Sequence, residues 1–338
     1  MCSTGHPADD PLERTIAGKS ARSVRNAQNR AASSDPLRRC EVNSTAATAY
    51  RERMLRVLDH VDRNLDGDLT LDALSAVAAF SKHHFHRQFS AMFGLSVHRY
   101  VQLARLKRAS YRLVFREEVP IIEIALDSGY EAPEAFARAF KERLGQSPRA
   151  FRKQPDWSPW HAAYAPFHRA RTNQMSTPTD DQIRIVDFPA TRVAILKHRG
   201  DPRTIGDTIK RFIAWRKETG VRPPASATFN ILHNDPETSA ADDYRLDLCA
   251  EISAPIVPND AGIFDSEIAG GRCAVLRLVG SGDDLRAAIA YLYGNWLPSS
   301  GEEPRDAPLF VQRVRFFPDV PEHEAITDIF LPLQYRHR

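Results

Sequence analysis

Three histidines and an arginine lie close together in the stretch AAFSKHHFHRQFSAMFG, residues 78–94. His83, His84, His86 and Arg87 are residue types that could bind a metal, transfer protons or contact an acidic partner. A zinc site takes three or four protein ligands, and no cysteine or further carboxylate lies near His83 and His86 in the sequence. We therefore expect a basic surface here, with no metal and no cofactor.

The residues before the histidines have the pattern of a short helix and a tight turn. Thr70 or Asp72 can cap a first helix over residues 72–78, and the turn follows at Ala79-Phe80. Ser81 can then cap a second helix, which carries the histidines. Two short helices joined in this way predict a helix-turn-helix.

The second helix of this motif has one apolar side and one basic side. Its apolar side has i, i+4, i+8 spacing and consists of Phe85, Phe89 and Phe93. The residues left on its other faces are Lys82, His83, His86, Arg87 and Ser90. A helix with such a basic face is typical of the recognition helix that enters the DNA major groove.

The motif recurs 51 residues later, where Phe136-x-Arg138-x-Phe140 repeats Phe85-x-Arg87-x-Phe89. Gly129 stands at the turn of this second copy, where a positive φ is often needed. Phe136 and Phe140 predict its buried side, which leaves Glu134 and Arg138 facing outward.

Between the copies, residues 98–115 predict one long helix that would hold the two recognition helices at a constant separation. Its apolar stripe contains Leu103, Leu106 and Leu113, and its basic stripe contains Arg105, Arg108, Arg112 and Arg116. A rigid connector of this kind suits two adjacent segments of the major groove.

The segment SGYEAPEAFARAFKERLGQSPRAFR, residues 128–152, contains the motifs SGY, F-x-R-x-F and G-x-S-P-x-x-F-R. These motifs resemble the DNA-binding domain of the AraC/XylS transcription regulators over roughly residues 50–153. Ala79 departs from the glycine usual in the first turn, and His83 stands where other members carry tryptophan. The resemblance implies double-stranded DNA as the partner and, as DNA-binding residues, Lys82, His83, His86, Arg87, Glu134 and Arg138.

Arg87 and Arg138 are the strongest candidates for reading bases, because a guanidinium can donate two hydrogen bonds to guanine O6 and N7. The histidines can contact bases or phosphates. A structural salt bridge across the domain is the alternative for either arginine.

The stretch DRNLDGDLTLDA, residues 62–73, nearly matches a calcium-binding loop. Its twelfth position, which requires a bidentate glutamate, is Ala73. We expect its Asp and Gly residues to form caps and turns instead of a calcium site.

The second half of the chain is also repeated, since VAILKHRG (193–200) parallels CAVLRLVG (273–280). The predicted fold is two domains: an all-α double helix-turn-helix domain, followed by an α+β domain in which a strand-helix-strand-strand unit is duplicated. Antiparallel strands with helices on one face would leave a groove between the halves, and such clefts often bind ligands.

The motifs N-D-P, R-x-D-x-C and W-L-P-x-S-G resemble the GyrI-like (gyrase-inhibitor-like) effector-binding domain over about residues 182–335. The resemblance implies a groove that binds a small-molecule effector and contains a glutamate and a tyrosine in a P-x-F-E-x-Y-like motif. Val311 occupies the glutamate position and Arg313 the tyrosine position, so a neutral or anionic ligand, or no ligand at all, is favoured over a cation. The expected effector-binding residues are Phe229, Glu251, Tyr291, Tyr293, Trp296 and Val311.

The length, composition and charge distribution of the chain fit this two-domain organisation. The chain has 338 residues, 42% hydrophobic and 26% charged, with four widely spaced cysteines and no apolar run long enough for a transmembrane helix. Residues 49–153 hold 18 Lys/Arg against 13 Asp/Glu, whereas residues 182–338 hold 19 against 22, so only the first half suits a polyanion. The predicted segments are a disordered tail (1–48), the DNA-binding domain (49–153), a linker (154–181) and the effector domain (182–338).

These observations predict a cytoplasmic, sequence-specific DNA-binding regulator modulated by a small molecule, with no membrane association. RNA polymerase is an expected partner if the protein is an activator. Two alternatives remain at this point: the second domain is a protein-interaction module, or it is a GyrI-like hydrolase. Hydrolysis would need a base, for which Glu251 is the nearest candidate, and no catalytic triad spacing supports it. We therefore expect no enzymatic activity.

Overall fold

The computed structural model describes residues 36–172, 178–236, 238–257 and 259–335. The chain divides into two compact units, residues 1–56 and 57–338. Helix α1 (Pro36–Arg63) begins inside the predicted disordered tail, so residues 36–48 are helical instead of irregular. Residues 1–35 of that predicted tail lie outside the described residues.

The helices after α1 include those of the two predicted helix-turn-helix motifs. They are α2 (Leu71–Ala78), α3 (Lys82–Phe93), α4 (Val97–Phe115), α5 (Ile121–Asp127), α6 (Pro133–Leu144), α7 (Pro148–Lys153) and α8 (Trp157–Thr172). Helices α2 and α3 form the first motif, α5 and α6 the second, and α4 is the long connector. Helices α3 and α6 begin 51 residues apart, as do α4 and α7, which confirms the duplication.

The first motif has the predicted caps and turn. The Thr70 hydroxyl accepts from the Ala73 N–H at 3.3 Å, and the Ser81 hydroxyl accepts from the His84 N–H at 3.5 Å. Ala79 has a φ of 54°, a left-handed conformation that costs a non-glycine residue about 1–2 kcal/mol. The helix-turn-helix therefore keeps its geometry here without the usual glycine.

At the second turn, Gly129 has a φ of 76° and leaves no room for a side chain. A Cβ atom there would lie 2.6 Å from the guanidinium of Arg105. We expect Gly129→Ala to destabilise the protein by about 1–2 kcal/mol for the backbone alone, with a further cost for displacing Arg105. Thermal unfolding measures this effect.

Gly94→Ala is the matched control for that variant. Gly94 has a similar φ of 71°, and a Cβ atom there would meet nothing within 4 Å. The Gly129 variant should melt at a clearly lower temperature than the Gly94 variant. Equal melting temperatures would show that Arg105 moves away without cost.

The segment predicted as an aperiodic linker, residues 154–181, contains helix α8. Trp160, Tyr164 and Phe167 are buried at i, i+4, i+7 spacing, and the Phe167 ring stacks on Tyr100 at 4.8 Å. The Pro and Ser content of this segment led to the prediction of a linker, although these aromatic residues have helical spacing. The expectation of an aperiodic segment is therefore corrected, because burial of three large aromatic side chains stabilises a helix here.

The second half is one eight-stranded antiparallel sheet with helices inserted between its strands. Its main elements are β1 (Ile183–Phe188), β2 (Thr191–Arg199), α9 (Ile205–Thr219), β3 (Thr228–Leu232), β4 (Arg245–Glu251), β5 (Phe264–Ile268), β6 (Gly271–Val279), α10 (Leu285–Tyr291), α11 (Leu297–Ser300), β7 (Leu309–Arg315) and β8 (Ile326–Pro332). The strand order is β1-β6-β8-β7-β3-β4-β2-β5. The two copies of the predicted repeat thus meet at the β3–β7 pair.

Each repeat also has a leading strand that the sequence did not predict. Strand β1 precedes the first copy but pairs with β6 of the second, and β5 precedes the second copy but pairs with β2 of the first. The two copies therefore exchange their outer strands, which joins them into one sheet.

The sheet is curled around an aromatic core on one face. The Phe188 ring of β1 lies 6.0 Å from Phe229 of β3, four strands away, where a flat sheet would separate them by roughly 19 Å. On the opposite face, α9 covers β2 and β4 with Phe212 and Trp215. The residues that follow α10, including Leu292, cover β6 and β8. The β3–β7 pair lies between these two covered regions.

Candidate nucleic-acid interface and effector groove

Helix α3 buries its phenylalanines and exposes its basic residues. Phe85 and Phe89 have no exposed surface, and their rings meet edge to face at 5.8 Å. His83, His86 and Arg87 are exposed on the remaining faces. The amphipathic division inferred from the sequence is thus present in the folded chain.

Helix α6 repeats this arrangement. Phe136 and Phe140 are fully buried, while Glu134 and Arg138 are exposed. Helix α6 begins at Pro133, which is well suited to a first helical position because it lacks an N–H. Glu134 lies in the first turn, where a carboxylate is stabilised by the helix dipole.

Arg87 and Arg138 have no intramolecular partner among the described residues. Within residues 48–172, neither guanidinium makes a hydrogen bond or ion pair, which does not support the structural salt bridge considered as the alternative. Lys82, by contrast, forms an exposed ion pair with Asp72. The two arginines therefore keep all their donors for another molecule.

The basic stripe of the connector α4 is used inside the protein. Arg105 donates from Nε to the Leu65 carbonyl at 2.9 Å, and Arg108 forms an ion pair with Asp66. The hydrogen bond from Arg108 lowers the pKa of Asp66. These contacts engage the Leu65 carbonyl and the Asp66 carboxylate of the stretch that resembles a calcium loop, so Asp66 binds the connector instead of a metal. Among the described residues, no group of three or more His, Cys, Asp or Glu side chains is placed to hold a metal.

The predicted effector-binding residues do not converge on one site. Phe229 is buried in the aromatic core inside the curl, whereas Trp296 and Val311 are buried on the opposite face of the sheet. Tyr293 is 44% exposed. Tyr291 donates from its hydroxyl to the Asp180 carboxylate at 2.6 Å.

Glu251 lies in a separate hollow with a volume of about 640 Å³. Trp215, Arg222 and Ser226 also line this hollow, but Val311 and Arg313 do not. The hollow is within the size range of small-molecule sites. Glu251 is therefore separated from the groove to which the sequence assigned it.

The β3–β7 pair joins the two repeats where the sequence predicts the floor of a groove, and Thr228, Asn230 and Val311 are buried there. Asn230 lies opposite Val311, and Thr228 lies opposite Arg313, so these four side chains share the helix-bearing face. Arg313 donates from Nε to Asn230 Oδ1 at 3.1 Å and from Nη1 to Thr327 Oγ1 at 3.2 Å. Burial lowers the pKa of Arg313.

A second guanidinium, missed in the sequence, lies beside this floor. Arg216 of α9 is 6% exposed and donates to the Thr228 hydroxyl, to the Ser226 carbonyl at 2.9 Å and to the Val221 carbonyl at 2.7 Å. Burial lowers its pKa to about 10. Because helix periodicity does not reveal which polar side chain turns toward a sheet, only the folded chain identifies this residue.

Comparisons with known proteins agree with both halves. Residues 74–154 match a helix-turn-helix domain, and residues 181–334 match a GyrI-like small molecule binding domain. The probable transcriptional regulator YgiV of Escherichia coli strain K12 is 40% identical over 152 residues, which cover 45% of this chain and 95% of YgiV. The right origin-binding protein of the same organism is 30% identical over 129 residues, 38% of this chain and 43% of that protein.

The chain belongs to the AraC family of regulators with a GyrI-like C-terminal domain. It is a DNA-binding transcription regulator that is modulated by a small molecule. No helix among the described residues is long and apolar enough to cross a membrane.

Three solved structures show similarity to parts of this AraC-type regulator. The DNA-binding domain of AdpA, solved with a target DNA, is 26% identical to this chain. The match covers 36% of this chain and 97% of that domain, with a TM-score of 0.28. The C-terminal domain of EcmrR is 15% identical, with coverages of 46% and 98% and a TM-score of 0.38. A hydrolase from Listeria innocua is 10% identical, with coverages of 50% and 98% and a TM-score of 0.33.

The connector helix of this AraC-type regulator also contacts its GyrI-like domain through a buried ion cluster. Lys107 of α4 is 2% exposed, and its ammonium lies 2.6 Å from Asp283 Oδ2 and 2.8 Å from Glu322 Oε1. His168 Nδ1 of α8 lies 3.1 Å from the same Asp283 oxygen. Burial opposes ionisation of Asp283, but the adjacent Lys107 and His168 hold its pKa below the ordinary value.

Further ion pairs surround this cluster. Arg116 at the end of α4 pairs with Asp319, and Lys217 of α9 lies 2.9 Å from Glu118. Exposed pairs of this kind contribute about 0–1 kcal/mol each. The buried Lys107 cluster is therefore the principal electrostatic contact between the connector and the GyrI-like domain.

Proposed function

We propose that the regulator reads DNA bases with Arg87 and Arg138, one in each of two successive major-groove segments. The observation that carries this proposal is that both guanidinium groups are exposed and have no partner in the described part of the chain, at equivalent positions 51 residues apart. Helix α4 joins the two motifs as a single element of 19 residues. One chain can therefore address two groove segments without dimerisation.

The other candidates on the two recognition helices would assist this reading. His83 and His86 are placed to contact bases or phosphates, and Glu134 is suited to accept from cytosine N4. Lys82 would contact a phosphate after leaving its exposed partner Asp72, which costs little. Phosphate contacts position the helices, whereas the arginine contacts select the sequence.

The effector would bind at the β3–β7 groove, with Val311 in its floor. Trp296 and Phe229 would support this floor from the cores on either side of the sheet, while Tyr291, Tyr293 and Glu251 lie elsewhere. The GyrI-like match, described as small-molecule binding, supports this role of the domain. If the regulator activates transcription, RNA polymerase is the partner we propose, in the cytoplasm.

We also propose that the protein acts by binding and not by catalysis. Glu251, the base that a hydrolase would need, is exposed and lies in a hollow that does not include the floor residues. A general base must lie within hydrogen-bond reach of the proton that it removes. A substrate in the groove would therefore lack this base.

Selection of bound genomic fragments by the full-length chain at two salt concentrations tests the DNA-binding proposal. We expect one set of fragments to be enriched at both concentrations, while overall affinity falls at the higher one because counterions compete for phosphate contacts. Uniform recovery of all fragments at both concentrations would contradict sequence-specific reading.

A further inference from the structure

The loop that leads into helix α2, which resembles part of a calcium site, lies against the connector helix α4. Arg105 of α4 donates from Nε to the Leu65 carbonyl at 2.9 Å and from Nη2 to the Gly67 carbonyl at 3.3 Å. Arg108 donates from Nη1 to the Asp66 carboxylate at 3.0 Å. The two arginines therefore attach the start of the first helix-turn-helix motif to the connector.

The same two guanidinium groups also contact the second motif. Arg108 donates from Nη2 to the carbonyl of Asp127, the last residue of α5. The guanidinium of Arg105 lies against the turn that follows, where a Cβ atom on Gly129 would be 2.6 Å from Nη1. The loop before the first motif and the turn inside the second motif thus meet on the same two side chains.

Arg112, one turn further along the connector, extends this row to the body of α5. It pairs with Asp127 and donates from Nη2 to Glu123 Oε1 at 3.1 Å. Arg105, Arg108 and Arg112 recur at i, i+3, i+7, so they lie along one face of α4. The side chains of Arg108 and Arg112 are only 12% and 17% exposed, and shielding from water strengthens their hydrogen bonds.

The apolar contacts between the motifs and the connector have less directional character. Phe89 of α3, for example, meets Tyr100 of α4 edge to face at 5.9 Å, and burial of apolar surface is favourable over a range of orientations. A guanidinium is a planar fork whose donors point in fixed directions. Two such forks, each in contact with both motifs, select one relative orientation of the motifs.

We propose that Arg105 and Arg108 form an arginine clamp that fixes the separation and rotational phase of the two recognition helices, and so specifies the spacing of the two DNA segments that one chain reads. The inference rests on the proposed reading of one segment by each helix, and it adds positioning residues that act through those helices. One base pair inserted between the segments displaces one of them by about 3.4 Å and rotates it by roughly 35°. Clamped helices cannot follow this change, whereas released helices can.

DNA sites that differ only in spacing provide the test. The two segments of the selected site are located as the base pairs at which Arg87→Ala and Arg138→Ala lose discrimination, and one base pair is then inserted between them. We expect the full-length wild type to bind the expanded site about 10- to 100-fold more weakly, because one helix loses its base contact. In Arg108→Gln the same insertion should cost about 3-fold or less, because a loosened motif can follow the shifted segment.

A second variant and a matched control accompany Arg108→Gln. The Asp66 side chain is 70% exposed, so Asp66→Ala weakens the arginine clamp without opening the core, and it should also reduce the cost of the insertion. Arg116→Gln is the control, because Arg116 lies on the same helix but pairs with Asp319 of the GyrI-like domain. It should keep the wild-type ratio of affinities for the two sites.

The ratio of affinities for the two spacings separates positioning from stability, since partial unfolding lowers the affinity for both sites equally. If the wild type discriminates between the spacings and both clamp variants discriminate as strongly, the arginine clamp is wrong while the two-segment reading stands. If the wild type binds both spacings equally, the two-segment reading fails and the clamp fails with it.

Discussion

We expect the Arg87→Ala and Arg138→Ala variants of the full-length chain to lose about 10- to 100-fold in affinity for the selected DNA site. A bidentate contact between arginine and guanine contributes about 1–3 kcal/mol of discrimination, and each variant removes one. The double variant should lose nearly all preference for the site while it keeps weak, salt-sensitive binding. That residual binding comes from phosphate contacts, which do not depend on sequence.

Arg184→Ala is the matched control for these variants. Arg184 is an exposed arginine on β1 of the GyrI-like domain, so its replacement removes the same charge far from both recognition helices in the sequence. It should bind the site with wild-type affinity. If the Arg87 and Arg138 variants lose affinity equally for the site and for unrelated DNA, the two residues contact phosphates and do not read bases.

We expect the second large effect, a loss of thermal stability, when Lys107 is replaced by methionine. Replacement by methionine keeps most of the packing but leaves Glu322 as a buried carboxylate without its cation and leaves Asp283 with His168 as its remaining partner. Removal of one partner from a buried ion pair typically destabilises a protein by about 3–5 kcal/mol. We expect the melting temperature of Lys107→Met to fall by on the order of 10 °C.

Two further variants test whether the loss of the Lys107 charge causes this fall in melting temperature. Lys141→Met changes an exposed lysine of α6 and should leave the melting temperature close to that of the wild type. The triple variant Lys107→Met, Asp283→Asn, Glu322→Gln removes the buried charges together and should regain part of the lost stability. An unchanged melting temperature for Lys107→Met would show that the two carboxylates reach water or each other without cost.

If both results hold, the connector helix has two roles in the regulator. One face positions the DNA-reading motifs through Leu103 and Leu106, which are buried at 1% exposure each. Another face contacts the GyrI-like domain through Lys107 and Tyr111. A change of the groove on ligand binding would then reach both recognition helices through one rigid element, which gives the coupling a defined physical path.

The sequence by itself determined the two helix-turn-helix motifs and the duplication of both halves. Short-range patterns were sufficient because a cap such as Ser81, a turn residue such as Gly129 and the i, i+4 spacing of Phe85 and Phe89 act locally. The exposure of Arg87 and Arg138 follows from the same periodicity. The departure at Val311 and Arg313 was also visible, because it concerns residue types within a recognisable motif.

The tertiary structure alone decided which distant side chains meet. Lys107 is 176 positions from Asp283 and 215 positions from Glu322 along the chain, yet the three side chains form one cluster. No local pattern indicated that β1 and β5 would exchange partners, that α8 would replace a linker, or that Arg216 would be buried against Thr228. These features depend on long-range packing and on the burial of charge, which have no periodic signature along a single chain.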